Sequence, residues 1–201
     1  MQLIRLEELT ALEDDTAVCL GTFDGVHLGH QALLRETVRA GAREGLLPCA
    51  YTFDQPPASV LGRGKCQVLS SIEEKAALLG ACGMERVIYS RFDEAVAACP
   101  AERFFQDVLV RRLRARHIVI GFHYHFGYRA QGDAALMEAM CRRAGLRLTV
   151  VPPVRTAEGE LVSSTAVRQS LVAGDRLRAE MMLNRALSAR EEALRGGREN
   201  E

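Results

Sequence analysis

Short β-rich apolar runs alternate along this chain with longer stretches of helical period, and no other feature limits the fold as strongly. Ala17-Val-Cys-Leu-Gly21, Leu47 to Phe53, Arg86 to Ser90, His117-Ile-Val-Ile-Gly121 and Arg147 to Val151 read as strands. Helices are expected from about Gly29 to Glu44, behind a Ser71 N-cap with an acidic first turn, from Pro100 to about Leu113, and over Asp133 to Ala144. Such alternation implies right-handed βαβ crossovers and a parallel sheet. The apolar continuity of 118–120 suits a strand covered on both faces. Asp54 to Leu69, with two Pro and two Gly, reads as a long loop.

Composition closes off several function classes. The chain has 201 residues, which fits one domain, expected over 1–185 with a helical or frayed tail over 186–201. Apolar residues make up 48%, enough for a real core, and 26 Lys+Arg balance 26 Asp+Glu. Zero net charge argues against coating nucleic acid by bulk electrostatics. The basic run Arg111 to Arg116 reads as a solvated helix end, where cations are favoured. No apolar run approaches the ~20 residues of a membrane span. Acids sit where a signal peptide would be apolar, so a cytoplasmic location is expected. The six cysteines, Cys19, Cys49, Cys66, Cys82, Cys99 and Cys141, form no C-x-x-C pair and read as free thiols, several of them buried.

Two segments carry chemistry. Gly21-Thr-Phe-Asp-Gly-Val-His-Leu-Gly-His30 joins the first strand to the first helix, where open α/β sheets bind ligands. Its glycines allow close backbone approach to an anion, and the helix N-terminus favours negative charge. His27 and His30, three apart, share one face of the first turn and can donate to phosphate oxygens. A tight turn with two incidental histidines is the plain alternative, and the clustering of Gly with His argues against it. A zinc site would need a third ligand that the spacing does not offer. In Leu161-Val-Ser-Ser-Thr-Ala-Val-Arg168 a short apolar strand is expected to end in three hydroxyl residues and a helix. Ser163, Ser164 and Thr165 can cap that helix or bond a phosphate. Arg168, a turn later, adds a guanidinium fork to the phosphate reading. No phosphate-binding P-loop and no Ser-His-Asp or Cys-His arrangement is visible.

The first segment closely resembles the N-terminal signature of the bacterial FAD synthetases, the FMN adenylyltransferase module. Its His-x-Gly-His core belongs to the wider nucleotidyltransferase superfamily. Val162-Ser-Ser-Thr-Ala-Val-Arg168 looks like the second signature of that superfamily, and Pro100-Ala-Glu-Arg-Phe-Phe with Ile118-Val-Ile-Gly121 is similar to the family's middle stretch. The resemblance spans roughly 16–185. Two stretches depart from it. Thr52-Phe-Asp-Gln-Pro-Pro57 lacks the His of the family's Thr-Phe-x-Pro-His-Pro. Gly121-Phe-His-Tyr-His-Phe-Gly127 has His123 and His125 where the family has Asp and Arg. Only residues 169–201 follow Arg168, fewer than the ~50 a folded domain needs, so the family's riboflavin kinase domain is expected to be absent.

The resemblance implies a Rossmann-like parallel α/β fold of nucleotidyltransferase type and the reaction ATP + FMN → FAD + pyrophosphate. It implies that His27 and His30 donate to the ATP phosphates, with Gly21, Thr22, Phe23, Asp24 and Gly29 lining the same pocket. Asp24 serves equally well as a turn-stabilising residue. Ser163, Ser164, Thr165 and Arg168 would hold the departing pyrophosphate, Arg168 joining the two histidines as the catalytic set. The flavin is expected against Phe53, Pro57, His123, His125 and Phe126. If strand character continues past Gly121, the two new histidines face one space. Mg²⁺ would come with ATP, bridging phosphate oxygens with few protein ligands. The partners implied are the two small substrates, with no nucleic acid, membrane or obligate protein partner. Two other classes keep both signatures: a nucleotidyltransferase for another phosphorylated acceptor, which segments 52–57 and 121–127 favour, and a non-catalytic nucleotide- or flavin-binding paralogue, against which the intact histidines and Arg168 stand.

Overall fold

A computed structural model describes residues 1–57 and 67–194. Six strands form one parallel sheet: β1 (Gln2–Arg5), β2 (Thr16–Leu20), β3 (Leu47–Phe53), β4 (Arg86–Ser90), β5 (Ala115–Gly121) and β6 (Arg147–Val151). Their order is β1-β4-β3-β2-β5-β6. From β2 the chain builds outward first through β3 and β4, then on the other side through β5 and β6. The order therefore reverses between β2 and β5, and β2 is wholly buried there. The five expected strands are present, three of them with the expected ends. The edge strand β1 was not anticipated, because four half-exposed residues give too short an alternation to read.

Alternate residues of the central strands serve opposite faces, which is why both faces need helices. Val18, Leu20, Ile118 and Ile120 pack with Phe105, Leu109, Leu113, Met137 and Met140 on one face. Cys19, Ala50, Val87 and Val119 pack with Leu34, Ala76, Leu79 and Met84 on the other. The second face is covered by α1 (Leu28–Glu44) and α2 (Ile72–Ala81), the latter opened by a full Ser71/Glu74 capping box. A single turn, α3 (Glu94–Ala97), leads to α4 (Ala101–Arg103), which continues as a π-wound segment through Arg112. That segment and α5 (Ala134–Ala144) cover the first face.

A smaller cluster of Leu69, Val162, Val167, Leu171, Ala179, Met182 and Leu183 holds α6 (Ser164–Val172) and α7 (Arg176–Leu183) together. The strand expected before α6 is not part of the sheet. Leu161 makes only an isolated antiparallel bridge with Arg155, so the hydroxyl run arrives on a loop. The C-terminal tail, expected as helical or frayed, is helical in its described part, and 195–201 lie outside the described residues. A last helix, α8 (Ala189–Ala193), has its own Ser188/Glu191 capping box, and Glu191 is fully buried. Cys19, Cys49 and Cys141 are buried free thiols, and Cys82 and Cys99 are half-buried. Cys66 lies outside the described residues, as does most of the expected 54–69 loop.

Gly41 shows how tightly α1 meets the sheet. A Cβ there would stand 2.7 Å from the Leu46 carbonyl oxygen and 3.1 Å from Pro48 Cγ. Backbone cannot give way as a side-chain tip can. Gly41→Ala is expected to destabilise the fold by about 1–3 kcal/mol despite its better helix propensity, read as a lower urea midpoint with an unchanged m-value.

Candidate active site

The loop between β2 and α1 is strained, and its neighbours hold it so. Phe23, Gly25 and Val26 have φ of 48°, 77° and 46°. Gly25 adopts this conformation freely, but for Phe and β-branched Val it costs on the order of 1–3 kcal/mol each. The Phe23 ring is fully buried and lies under Gly21, where a Cβ would come within 3.0 Å of it. Asp24, 1% exposed, is the hub. Its Oδ1 accepts from the amides of Leu69 and Ser70, each at 3.0 Å, and its Oδ2 pairs with Arg168. The loop that opens α2 and the first turn of α6 are thus joined at one carboxylate.

His27 is the N-cap of α1. Its Nδ1 accepts the His30 backbone N–H at 3.3 Å, which leaves Nε2 as the ring's N–H. The His27 and His30 rings stack at 3.7 Å between centroids, 19° apart, and Phe23 meets His30 edge-on at 5.2 Å. Gly29 leaves the His27 ring room, since a Cβ there would stand 3.0 Å from His27 Cε1 and press the ring out of place by a few tenths of an ångström. Burial pushes His27 down to about 4, and the nearby Arg168 guanidinium adds to the shift. His30 is lowered well below its ordinary range, first by burial, then by His27 and Lys75. Its Nδ1 is buried with no partner among the described residues. Both imidazoles are therefore neutral at pH 7, poised as hydrogen-bond donors at a helix N-terminus, where an anion is favoured.

The second segment meets the first, with altered roles. Ser163 Oγ is a plain N-cap, accepting the Ala166 N–H at 3.1 Å. Ser164 Oγ donates to the Asp24 carbonyl at 2.9 Å, and Thr165 is exposed on the first turn of α6. Arg168 is not the open phosphate fork expected of it. Its Nε donates to the Gln67 carbonyl at 2.7 Å and its Nη2 pairs with Asp24. Asp24, with both oxygens engaged, holds the loop in the turn-stabilising sense. Thr22 is half-buried, its carbonyl accepting from Thr52 Oγ1 at 3.0 Å, and Gly21 N–H donates to the Tyr51 carbonyl.

The residues expected around the flavin do not converge. Phe126 is a core residue, 6% exposed and stacked on Tyr124, because the chain turns inward to bridge Gly132. β5 stops at Gly121, so His123 and His125 lie on a turn instead of sharing a strand face. Both are exposed, and His125 Nδ1 bonds the His123 carbonyl. Phe53 is half-buried between Tyr51 and Phe92, beside a cavity of about 200 Å³ lined by Asp54, Gln55, Arg91, Phe92, Asp93 and Glu94. Pro57 is half-buried and borders the undescribed stretch. A roomier concavity of about 380 Å³ opens among Arg43, Glu44, Arg116 and Arg147, at the opposite ends of the strands. Its arginines pair with Glu44 and Asp15, so volume there does not mark the site.

Lys75 was missed in the sequence. It is 1% exposed, with Nζ donating to the Phe53 carbonyl at 2.7 Å and lying 3.5 Å from Thr52 Oγ1. Burial draws it down to about 8, opposed by the carboxylates of Asp24 and Asp54. The available signal was its place with Ile72, Ala76 and Leu79 on the apolar stripe of α2. Among the described residues no group of three or more His, Cys, Asp or Glu is arranged to hold a metal ion.

Two outcomes follow from the neutral histidine pair. His27 titrates near 4 when folded, against an ordinary 6.5, so between those values the unfolded chain binds more protons. Its contribution, about 3 kcal/mol, is complete above pH 6.5 and lost as pH falls toward 4. Urea midpoints taken from pH 7 to 4 should show the loss, and His27→Gln should flatten it. Gly29→Ala should turn the His27 ring out of its stack. The His27 NMR titration should then move toward 6.5, while stability changes by less than about 1 kcal/mol.

Residues 9–166 match the FAD synthetase family. The bifunctional riboflavin kinase/FMN adenylyltransferase of Escherichia coli K12 is 33% identical over 186 residues, covering 91% of this chain and 59% of that protein. The Listeria monocytogenes protein of the same name is 31% identical over 169 residues, covering 83% and 52%. This chain thus spans little more than half the length of these two relatives. A crystal structure described as a macrolide-efflux protein from Streptococcus pneumoniae superposes with a TM-score of 0.82 at 27% identity, covering 93% of this chain and 63% of that one. Among the described residues no helix is long and apolar enough to cross a membrane. Pantothenate synthetase from Thermus thermophilus, at a TM-score of 0.54 and 20% identity over 92% of this chain and 82% of its own, shares the fold. With both signatures in place around one loop, and a match running through most of its length, the chain belongs to the FAD synthetase family.

Proposed function

We propose that this protein is an FMN adenylyltransferase, transferring AMP from ATP to FMN to give FAD and pyrophosphate. The observation that carries the reading is the stacked, neutral pair of His27 and His30 at the N-terminus of α1, beside the strand-order reversal between β2 and β5. An FMN phosphate oxygen attacks the α-phosphorus of ATP. A new P–O bond forms as the bond to the β-phosphate's bridging oxygen breaks, and pyrophosphate leaves with that electron pair. No protein nucleophile or proton abstraction is needed, since the attacking phosphate is already anionic. The chain supplies position and charge stabilisation.

His27 donates from Nε2 to the ATP phosphates, and His30 stands behind it in the same stack. Thr165 and the amides of the first turn of α6 face the departing pyrophosphate, with Arg168 fixing that turn to Asp24. Mg²⁺ would come with ATP and would supply charge neutralisation at the phosphates. Among the described residues no cluster of carboxylates is arranged to hold it, and Asp24, the one carboxylate within either signature, is already engaged by Arg168 and two amides. The altered segments 52–57 and 121–127 support a second reading, in which the acceptor is a different phosphorylated molecule, because they flank the end of the sheet where the acceptor lies.

Purified protein with Mg-ATP and FMN should yield FAD and pyrophosphate in equal amounts by chromatography. Riboflavin, lacking the attacking phosphate, should not be adenylylated. His30→Ala should lower turnover by about 10² or more while the protein stays folded. Pyrophosphate release with another phosphorylated acceptor, but not with FMN, would move the assignment to the second reading.

A further inference from the structure

Three successive carbonyls of the site loop are each held by a side chain from outside it. Asp24 O receives Ser164 Oγ at 2.9 Å, Gly25 O receives Arg185 Nη2 at 3.1 Å, and Val26 O receives Gln31 Nε2 at 3.0 Å. Gln31 Nε2 also reaches the Leu183 carbonyl at 2.8 Å, so its bond ties the loop to the end of α7. Two of these three ties thus engage the chain from Leu183 onward. That stretch lies outside the region matched by the family, residues 9–166, and neither sequence signature reaches it.

Arg185 is itself held through its terminal nitrogens, while its buried Nε has no partner among the described residues. Its two terminal nitrogens grip both oxygens of Glu191, each at 2.7 Å, and Nη1 also donates to the Ala186 carbonyl at 3.0 Å. The Glu191 side chain is 0% exposed and the Arg185 side chain 22%. Glu191 is anchored in turn, accepting the Ser188 N–H at 2.9 Å in the capping box of α8. Arg190 docks the same helix to Glu74 at the start of α2. A buried bidentate pair contributes little net stability, because desolvation offsets most of its attraction. What it does well is fix geometry, and here the fixed guanidinium ends on a carbonyl between Asp24 and the positive-φ residue Val26.

We propose that Arg185, clamped by buried Glu191, is a positioning residue of the site loop: its bond to the Gly25 carbonyl holds the strained turn that sets His27 against His30. The proposal rests on adenylyl transfer for its kinetic consequence but not for its structural one. Without the Gly25 bond, Val26 can relax toward negative φ, and the first turn of α1 shifts with it. A lysine cannot replace Arg185, because a single ammonium lacks the fork needed to serve both Glu191 oxygens and the carbonyl.

The test pairs Arg185→Met with Glu191→Leu, which removes the bond without stranding a buried charge. The double variant should keep a cooperative urea transition at a midpoint near wild type. Its turnover of FMN to FAD should fall at least about tenfold, with KM for ATP changed less than about threefold, the pattern of lost transition-state alignment. NMR titration of the His27 ring should move toward the ordinary imidazole range as the stack loosens. Arg185→Lys should show the same two changes, and it carries the test if the double variant does not fold. Wild-type turnover together with an unchanged His27 titration overturns the proposal. Should the wild-type protein make no FAD, the adenylyltransferase reading fails alone, and the His27 titration still decides the role of Arg185.

Discussion

Asp24 is the point on which the site depends. One carboxylate, almost wholly out of water, accepts two backbone amides from the segment that opens α2 and pairs with a guanidinium from α6. Breaking such a pair from one side leaves a buried charge without compensation, worth about 3–5 kcal/mol. The pair therefore matters less as a source of net stability than as a constraint on alternatives. The two signatures, far apart in sequence, cannot separate without stranding a charge. The same constraint engages two donor nitrogens of Arg168, one on a buried aspartate and one on a carbonyl.

Much of this was legible in the sequence because the informative patterns are local. Strand runs such as Leu47–Phe53 and Arg147–Val151 are bounded by turn residues and helix caps, and their ends fall where expected. The Gly-rich turn between β2 and α1 announces itself by composition, and His27 and His30 meet because three residues is nearly one helical turn. What was not legible depends on tertiary partners. Ser163, Ser164 and Arg168 are chemically suited to phosphate, and only the fold reveals that a helix amide, a carbonyl and Asp24 reach them first. Phe126 and His123 are expected at the flavin from the resemblance and from strand character carried past Gly121. Whether a chain leaving a strand stays extended or turns inward is decided by what it packs on. A four-residue edge strand and a buried lysine carry almost no one-dimensional signal.

The charges around the histidines form a graded set. Burial already disfavours imidazolium at both rings, and Lys75 and Arg168 stand on the side that deepens the effect. Neutral imidazoles donate hydrogen bonds without bringing charge of their own, so in the proposed reaction the helix terminus would supply the attraction for the phosphates. Strong ground-state binding of a polyanion would slow product release. In the proposed reaction, neutral donors would favour developing charge over charge already present.

The ties on the site loop also bear on how the chain reaches its native state. Asp24 is joined to residues 140 and 144 positions away, Gly25 to one 160 away, and Gln31 to one 152 away. In the sheet, three of the five pairings (β2–β3, β3–β4 and β5–β6) join strands that follow one another in the chain, and the other two, β1–β4 and β2–β5, are still shorter closures, Gln2 meeting Arg86 and Thr16 meeting Ala115. Closing a loop of 150 residues costs chain entropy that nearby contacts do not repay, so the shorter closures come first. The strained turn can gain its ties to Leu69 and Ser70 early, but it lacks those to Ser164, Arg168 and Arg185 until the last helices have docked. Secondary structure and most of the core thus form ahead of the histidine stack. A chain interrupted during synthesis, or clipped near its C-terminus, would look folded by bulk measures and still lack the geometry on which its chemistry relies.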